Sequence, residues 1–212
     1  MTSNLNAAPS LTIMGLGDST TAGTPQFFSP REVPPDGQGN PESQYSYWMM
    51  KKHPEWKVLN RGVRGQRSDQ IRSRFDYEVA ETKPDIMIIL AGVNDLYQGA
   101  ALKDIKKNLE IMYNKAADLG IAVIACTILP YNGADENVRR GMQEVNAWIR
   151  ETAQRRGMGF CDTYAVVESP DRPGELSSSY DGLHPDVAGY RRIGEALAAT
   201  LEAWAKSSQA AS

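Results

Sequence analysis

The sequence predicts an α/β fold built around a five-stranded parallel sheet, and three observations carry that reading. Short, nearly continuous apolar runs recur along the chain, the pattern of strands covered on both faces. Stretches whose apolar residues return every three or four positions separate them, the mark of amphipathic helices. The two kinds of segment alternate, and strands joined by helical crossovers pair in parallel with right-handed connections. At 212 residues, one domain accommodates the whole alternation.

The first strand opens at Thr12 and empties into a glycine-rich turn, Gly15-Leu16-Gly17-Asp18-Ser19-Thr20-Thr21-Ala22-Gly23. Residues 24–43 follow, rich in Pro, Gly, Gln and Glu and without either period, so a long loop is expected there. Because it leaves directly from that turn and carries Phe27 and Phe28, it is read as a wall of the substrate cleft. Residues 45–52 suit a short helix stopped at Pro54, since proline has no amide proton and restricts the residue before it. A second strand over 56–60 leads through a glycine turn at 61–65 to a helix capped by Ser68, with Ile71, Phe75 and Val79 on one face. Residues 86–90 form the third strand, which opens into Ala91-Gly92-Val93-Asn94-Asp95. Leu102, Ile105, Leu109, Met112 and Ala116 make one helical stripe, closed by Gly120, a residue that tolerates a left-handed backbone. The fourth strand spans 121–129, and Met142, Val145, Ile149 and Ala153 line the helix after it. A short fifth strand covers 157–162, and residues 169–180 are irregular. Ile193, Leu197, Leu201 and Trp204 place a last helix on the sheet, leaving residues 1–10 and 206–212 as expected flexible tails.

Composition narrows the function. A net charge of -3 and a pI near 5.5 offer no large positive field for a phosphate backbone, which argues against nucleic acid as a partner. No apolar run approaches the roughly 20 residues of a membrane span. Residues 1–10 carry neither the basic nor the apolar region of a secretory leader, so the chain as it stands reads as cytoplasmic, or as secreted where a leader has been cleaved. Cys126 and Cys161 lie in apolar runs and read as buried, reduced thiols. Together with His53 and His184 they offer no ligand spacing, so no metal site is expected.

In an open parallel sheet, ligands bind beyond the carboxyl ends of the strands. Ser19, Gly65 and Asn94 each follow the end of a predicted strand, the first, second and third, so the fold brings them to one edge. A serine hydroxyl is a weak nucleophile at neutral pH and needs an adjacent base, usually histidine. His53, between Lys52 and Pro54, sits at an expected exposed helix end, which leaves His184. Asp181 lies three residues before it across a Gly-Leu turn, so its carboxylate can hold one ring nitrogen while the other faces Ser19. Attack of Ser19 on an ester carbonyl also needs oxyanion donors, and the candidates are the backbone amides of Ser19 and Gly65 with the side-chain amide of Asn94. Each residue has a plainer reading: Ser19 and Asn94 as caps, Gly65 as a turn glycine, Asp181 and His184 as the start of the last helix. Their joint position at the strand ends favours the chemical one.

Four blocks, Gly17-Asp18-Ser19, Asn60-Arg61-Gly62-Val63-Arg64-Gly65, Gly92-Val93-Asn94-Asp95 and Asp181-Gly182-Leu183-His184-Pro185, resemble in order and placement those of the SGNH or GDSL hydrolases. The resemblance runs from about Ile13 to the final helix. It implies a flavodoxin-like three-layer α/β/α sandwich, with Ser19 as nucleophile, His184 as base and Asp181 as its orienter. It also implies an oxyanion hole of Ser19, Gly65 and Asn94, and ester hydrolysis without metal or cofactor.

Two features depart from the shortest family pattern. Thr20 stands where the name motif has Leu, which should alter packing behind the nucleophile, and the 24–43 insertion lengthens the chain beside it. Two other motifs fail: Thr at 21 breaks a Gly-x-Ser-x-Gly elbow, and Thr at 20 breaks a dinucleotide fingerprint begun by Gly15 and Gly17. The expected function is hydrolysis of short-chain, including acetyl, esters through an acyl-enzyme, because no long apolar stretch outside the core suggests a lipid tunnel. The expected partner is a small-molecule ester such as an acetylated carbohydrate. Acyl transfer to an alcohol would use the same residues; a non-catalytic ligand-binding module and a flavoprotein of similar topology are the competing classes.

Overall fold

The computed structural model describes residues 11–210. Its main sheet comprises β1 (Leu11–Gly17), β2 (Trp56–Gly62), β3 (Ile86–Leu90), β4 (Ala122–Cys126) and β5 (Gly159–Cys161). All neighbours pair in parallel, in the order β2-β1-β3-β4-β5. This is the flavodoxin-like doubly wound order, in which the order of connections switches between β1 and β3, the point beyond whose carboxyl ends such sheets bind ligands.

The helices are α1 (Ser19–Ala22), α2 (Tyr45–Lys52), α3 (Ser68–Ser73), α4 (Phe75–Thr82), α5 (Val93–Tyr97), α6 (Leu102–Asp118), α7 (Glu136–Arg156), α8 (Thr163–Val167) and α9 (Val187–Ala210). Successive side chains of a strand point to opposite faces. On β3, Met87 and Ile89 accordingly join Ile71, Phe75, Leu109, Met112, Val145 and Ile149 of α3, α4, α6 and α7 in one core. Ile86, Ile88 and Leu90 join Tyr45, Met49, Val167, Ile193 and Leu197 of α2, α8 and α9 in the other. A strand apolar at every position is what a sheet between two helical layers requires. Cys126 and Cys161 are register partners on β4 and β5, both buried free thiols, as expected. Among the described residues, no helix is long and apolar enough to cross a membrane.

Several boundaries differ from expectation, each for a local reason. The helix expected to run from Ser68 past Val79 is broken at Arg74, whose backbone (φ -99°, ψ 1°) separates α3 from α4. Ser68 is not its cap: the cap position is Arg67, and the Ser68 amide and hydroxyl both donate to the buried Asp95 carboxylate, at 2.7 and 2.6 Å. The fourth strand stops at Cys126 because the backbone of Ile128 is taken by the Asn146 side chain, which accepts from its amide at 2.7 Å and donates to its carbonyl at 2.9 Å. The block that follows the third strand continues into a short helix, α5. The last helix continues to Ala210, so the expected tail does not begin at 206, while 1–10 and 211–212 lie outside the described residues. The 24–43 segment is not a bare loop. It holds a small antiparallel ribbon of Phe27–Phe28 with Gln38–Gly39 and a 3-10 turn at Pro41–Ser43.

Candidate active site

The turn that carries Ser19 is packed so tightly that only glycine fits at its start. A Cβ on Gly17 would run into the Leu90 carbonyl and the Thr21 hydroxyl. Asp18 then caps α1, its Oδ1 accepting from the Thr20 amide at 3.0 Å, and Ser19 opens that helix at the carboxyl end of β1. The Arg74 guanidinium donates to the Gly17 carbonyl at 2.9 Å and pairs with the fully buried Glu78 at 2.9 Å, pinning the turn from below.

His184 arrives from a turn built on two acceptors. Asp181 Oδ1 accepts from the amides of Leu183 and His184 at 2.9 and 2.8 Å, and the Ser179 hydroxyl accepts from Gly182 at 2.8 Å while donating to the His184 carbonyl at 2.6 Å. The Asn132 amide donates to the Gly182 carbonyl at 2.7 Å and ties the turn to the segment after β4. The other carboxylate oxygen, Asp181 Oδ2, lies 2.7 Å from His184 Nδ1, and His184 Nε2 lies 2.8 Å from Ser19 Oγ. Burial opposes the charge on Asp181, but the hydrogen bonds from the His184 ring and from the two amides outweigh it and hold this carboxyl below its ordinary range. An ionised carboxylate only accepts. The Nδ1 proton therefore points to Asp181, and Nε2 is left as acceptor for the Ser19 hydroxyl.

The other predicted oxyanion donors follow β2 and β3, the two neighbours of β1 in the sheet. Gly65 has φ +71°, a left-handed backbone, and no heavy atom within 4 Å of where a Cβ would stand, so it is the backbone angle and not crowding that calls for glycine there. The Asn94 side-chain amide donates one proton to the Gln66 carbonyl at 3.0 Å, which joins the loop after β2 to α5 and leaves its second proton for a ligand. The structure thus brings Ser19, Asp181 and His184 into one hydrogen-bonded line and joins the Gly65 loop to Asn94. His53 is elsewhere, stacked on Trp56 at 3.8 Å and 2.7 Å from Glu202, rather than simply exposed. Thr20 and Thr21, which follow Ser19, are buried, and the Thr21 hydroxyl meets that of Tyr45 at 3.3 Å.

Sequence reasoning missed Arg74, Ser179 and the Asp95-Ser68 clamp, in which Asn108 also donates to the Ser68 hydroxyl at 2.9 Å. Asp95 closes the block Gly92-Val93-Asn94-Asp95, and its neighbour Asn94 was the available signal. Asp18 carries a measurable consequence. Burial, reinforced by Asp95, pushes its carboxyl up to about 7 against the hydrogen bond from the Thr20 amide. Between the ordinary carboxylate range and pH 7 the folded chain holds a proton that the unfolded chain has released, so stability falls as pH rises through that window. Asp18→Asn keeps an acceptor for the Thr20 amide and removes the slope. Thermal melts should show the variant more stable than wild type at pH 8, by on the order of 2 to 4 kcal/mol, and little changed at pH 4.5.

The model of the GDSL-like Lipase/Acylhydrolase family matches residues 16–192. An acetylxylan esterase from Geobacillus stearothermophilus is 24% identical over 155 residues, which cover 66% of this chain and 70% of that protein. Among solved structures, a G-D-S-L family protein from Desulfitobacterium hafniense DCB-2 superposes with a TM-score of 0.75 at 25% identity, over 90% of this chain and 99% of that one. The structure of an acetylxylan esterase from Geobacillus stearothermophilus gives 0.73 at 21% identity, over 92% and 95%, a likeness of fold.

Proposed function

Because the chain belongs to the GDSL-like lipase/acylhydrolase family and is a carboxylic ester hydrolase, we propose that it cleaves acetyl and other short-chain esters through an acyl-enzyme on Ser19. The observation that carries the mechanism is the continuous line from Ser19 Oγ through His184 to Asp181, at 2.8 and 2.7 Å. His184 Nε2 takes the Ser19 proton as Oγ attacks the ester carbonyl, and the negative charge that forms on the carbonyl oxygen meets the amides of Ser19, Gly65 and Asn94. The imidazolium, stabilised by Asp181, gives its proton to the leaving alcohol. The same nitrogen then removes a proton from water, which attacks the acyl-serine and releases the acid.

A carbohydrate alcohol is supported by two facts. The curated relative is an acetylxylan esterase, and exposed aromatic rings stand beside the site segments: Phe28 against Arg64, Tyr97 at the end of α5, and Tyr180 before Asp181. Aromatic faces suit the apolar faces of sugar rings. Initial rates on p-nitrophenyl esters of increasing chain length test the acyl preference, with kcat/KM for the acetate expected at least 100-fold above that for the octanoate. Acetate release from acetylated xylo-oligosaccharides tests the alcohol. A preference for octanoate, or no release from the oligosaccharides, would overturn the corresponding half of the reading.

A further inference from the structure

We propose that Glu32, in the 24–43 insertion, is a positioning residue that holds the Gly65 amide in place for the oxyanion. The inference rests on the serine esterase reading above and adds a residue from outside the four sequence blocks.

The Gly65 loop has little to fix it from within. Val63 donates to the Gly17 carbonyl at 3.2 Å, Gln66 reaches the Val63 carbonyl only at 3.5 Å, and a glycine at positive φ is the least conformationally restricted residue available. The peptide that carries the Gly65 N–H begins at Arg64, and Arg64 is held entirely by the insertion. Glu32 Oε1 accepts from the Arg64 amide at 3.1 Å and lies 3.5 Å from its Nε. The Arg64 guanidinium donates to the Phe27 carbonyl at 3.1 Å and lies over the Phe28 ring at 3.4 Å. Two residues earlier, the Ser29 hydroxyl donates to the Gly62 carbonyl at 2.6 Å.

Glu32 is itself rigidly mounted. Its second oxygen accepts from the Ser29 amide at 2.9 Å, closing a turn in which the Glu32 and Val33 amides both donate to the Ser29 carbonyl at 2.9 Å. One carboxylate thus locks its own turn and the loop that presents the donor. These contacts converge on residues 62–64, immediately before Gly65, so their natural reading is control of that amide's direction. Displacing a preorganised group by about 1 Å can cost up to 10²-fold in rate, and loss of one oxyanion donor about 10² to 10³.

Steady-state kinetics on p-nitrophenyl acetate, with pH profiles and thermal melts, test the assignment in the full chain. Glu32→Ala is expected to lower kcat by about 30- to 100-fold with KM within threefold. The midpoint of the kcat/KM profile should not move, because Ser19, His184 and Asp181 keep their contacts. Glu32→Gln has one carbonyl oxygen, which can serve the Arg64 or the Ser29 amide but not both, so it should lose about 3- to 10-fold. Either variant melting cooperatively above the assay temperature with kcat within twofold of wild type overturns the proposal, as does a fall in kcat matched by an equal rise in KM. If Glu32→Ala does not fold, Glu32→Gln decides alone. Wild type and Ser19→Ala hydrolysing the ester equally would defeat the esterase reading; an active wild type beside an equally active Glu32→Ala would defeat only the role of Glu32.

Discussion

Ser19→Ala is expected to lower turnover of p-nitrophenyl acetate by about 10⁴- to 10⁶-fold without disturbing the fold. The two halves of that expectation have separate physical grounds. Removing one hydroxyl oxygen from a buried turn residue leaves Gly17, Asp18 and Thr20 with their contacts, since the capping bond runs from the Thr20 amide to Asp18 and not through Ser19. The Ser19 hydroxyl meets His184 Nε2, and nothing in the capping of α1 depends on it. Under the proposed mechanism, chemistry by contrast loses the atom that takes up the acyl group. What remains is a positioned base and a set of oxyanion donors, which can assist water directly but only weakly. Rapid-mixing traces should lose any acyl-enzyme burst, while thermal melts of the two proteins should nearly coincide. Equal steady-state rates would sink the assignment of Ser19, and a variant that melts far below wild type would show that the turn, rather than the nucleophile, had been damaged.

The layers of the fold were legible because the physics behind them is written in side-chain type. Residues 86–90 must be apolar at every position to face two helical layers, and Leu109, Met112 and Ala116 must return every three or four positions to face one. The line of Ser19 and His184 was legible for a different reason: with only two histidines, one beside Pro54 at a helix end, elimination pointed to the other. Failures fell where a side chain is satisfied by backbone atoms, which leave no mark in the sequence of the partner. Asn146 ends β4 by bonding both backbone groups of Ile128, Arg74 pins the Ser19 turn through the Gly17 carbonyl, and Ser179 shapes the His184 turn through an amide and a carbonyl. The internal order of the insertion was hidden for the same reason. Its order comes from Ser29, Glu32 and Asn40 holding nearby backbone, and its composition alone suggests only a loop.

Asp181→Asn should be nearly as damaging as loss of the base, about 10²- to 10⁴-fold in kcat, although it is isosteric and keeps the turn. In the wild type, Oδ1 receives the amides of Leu183 and His184, and Oδ2 faces Nδ1. Asparagine satisfies the two backbone donors best by placing its single oxygen where Oδ1 lies, which turns its NH₂ toward the ring. Nδ1 must then accept, the ring proton moves to Nε2, and the nitrogen facing Ser19 becomes a donor unable to take the hydroxyl proton. The lower bound of the range reflects partial exposure of Asp181, which lets water compete for the ring. Asp181→Ala separates this tautomer effect from simple loss of a contact, because it leaves Nδ1 to solvent and the ring free to choose. The asparagine variant should therefore be at least as slow as the alanine variant while melting at a higher temperature, since only asparagine still receives the two turn amides. Were Asp181 needed only to build the turn, asparagine would turn over within tenfold of wild type and alanine would be the crippled one. The order of the two rates, read beside the order of the two melting temperatures, decides between an orienting carboxylate and a structural one.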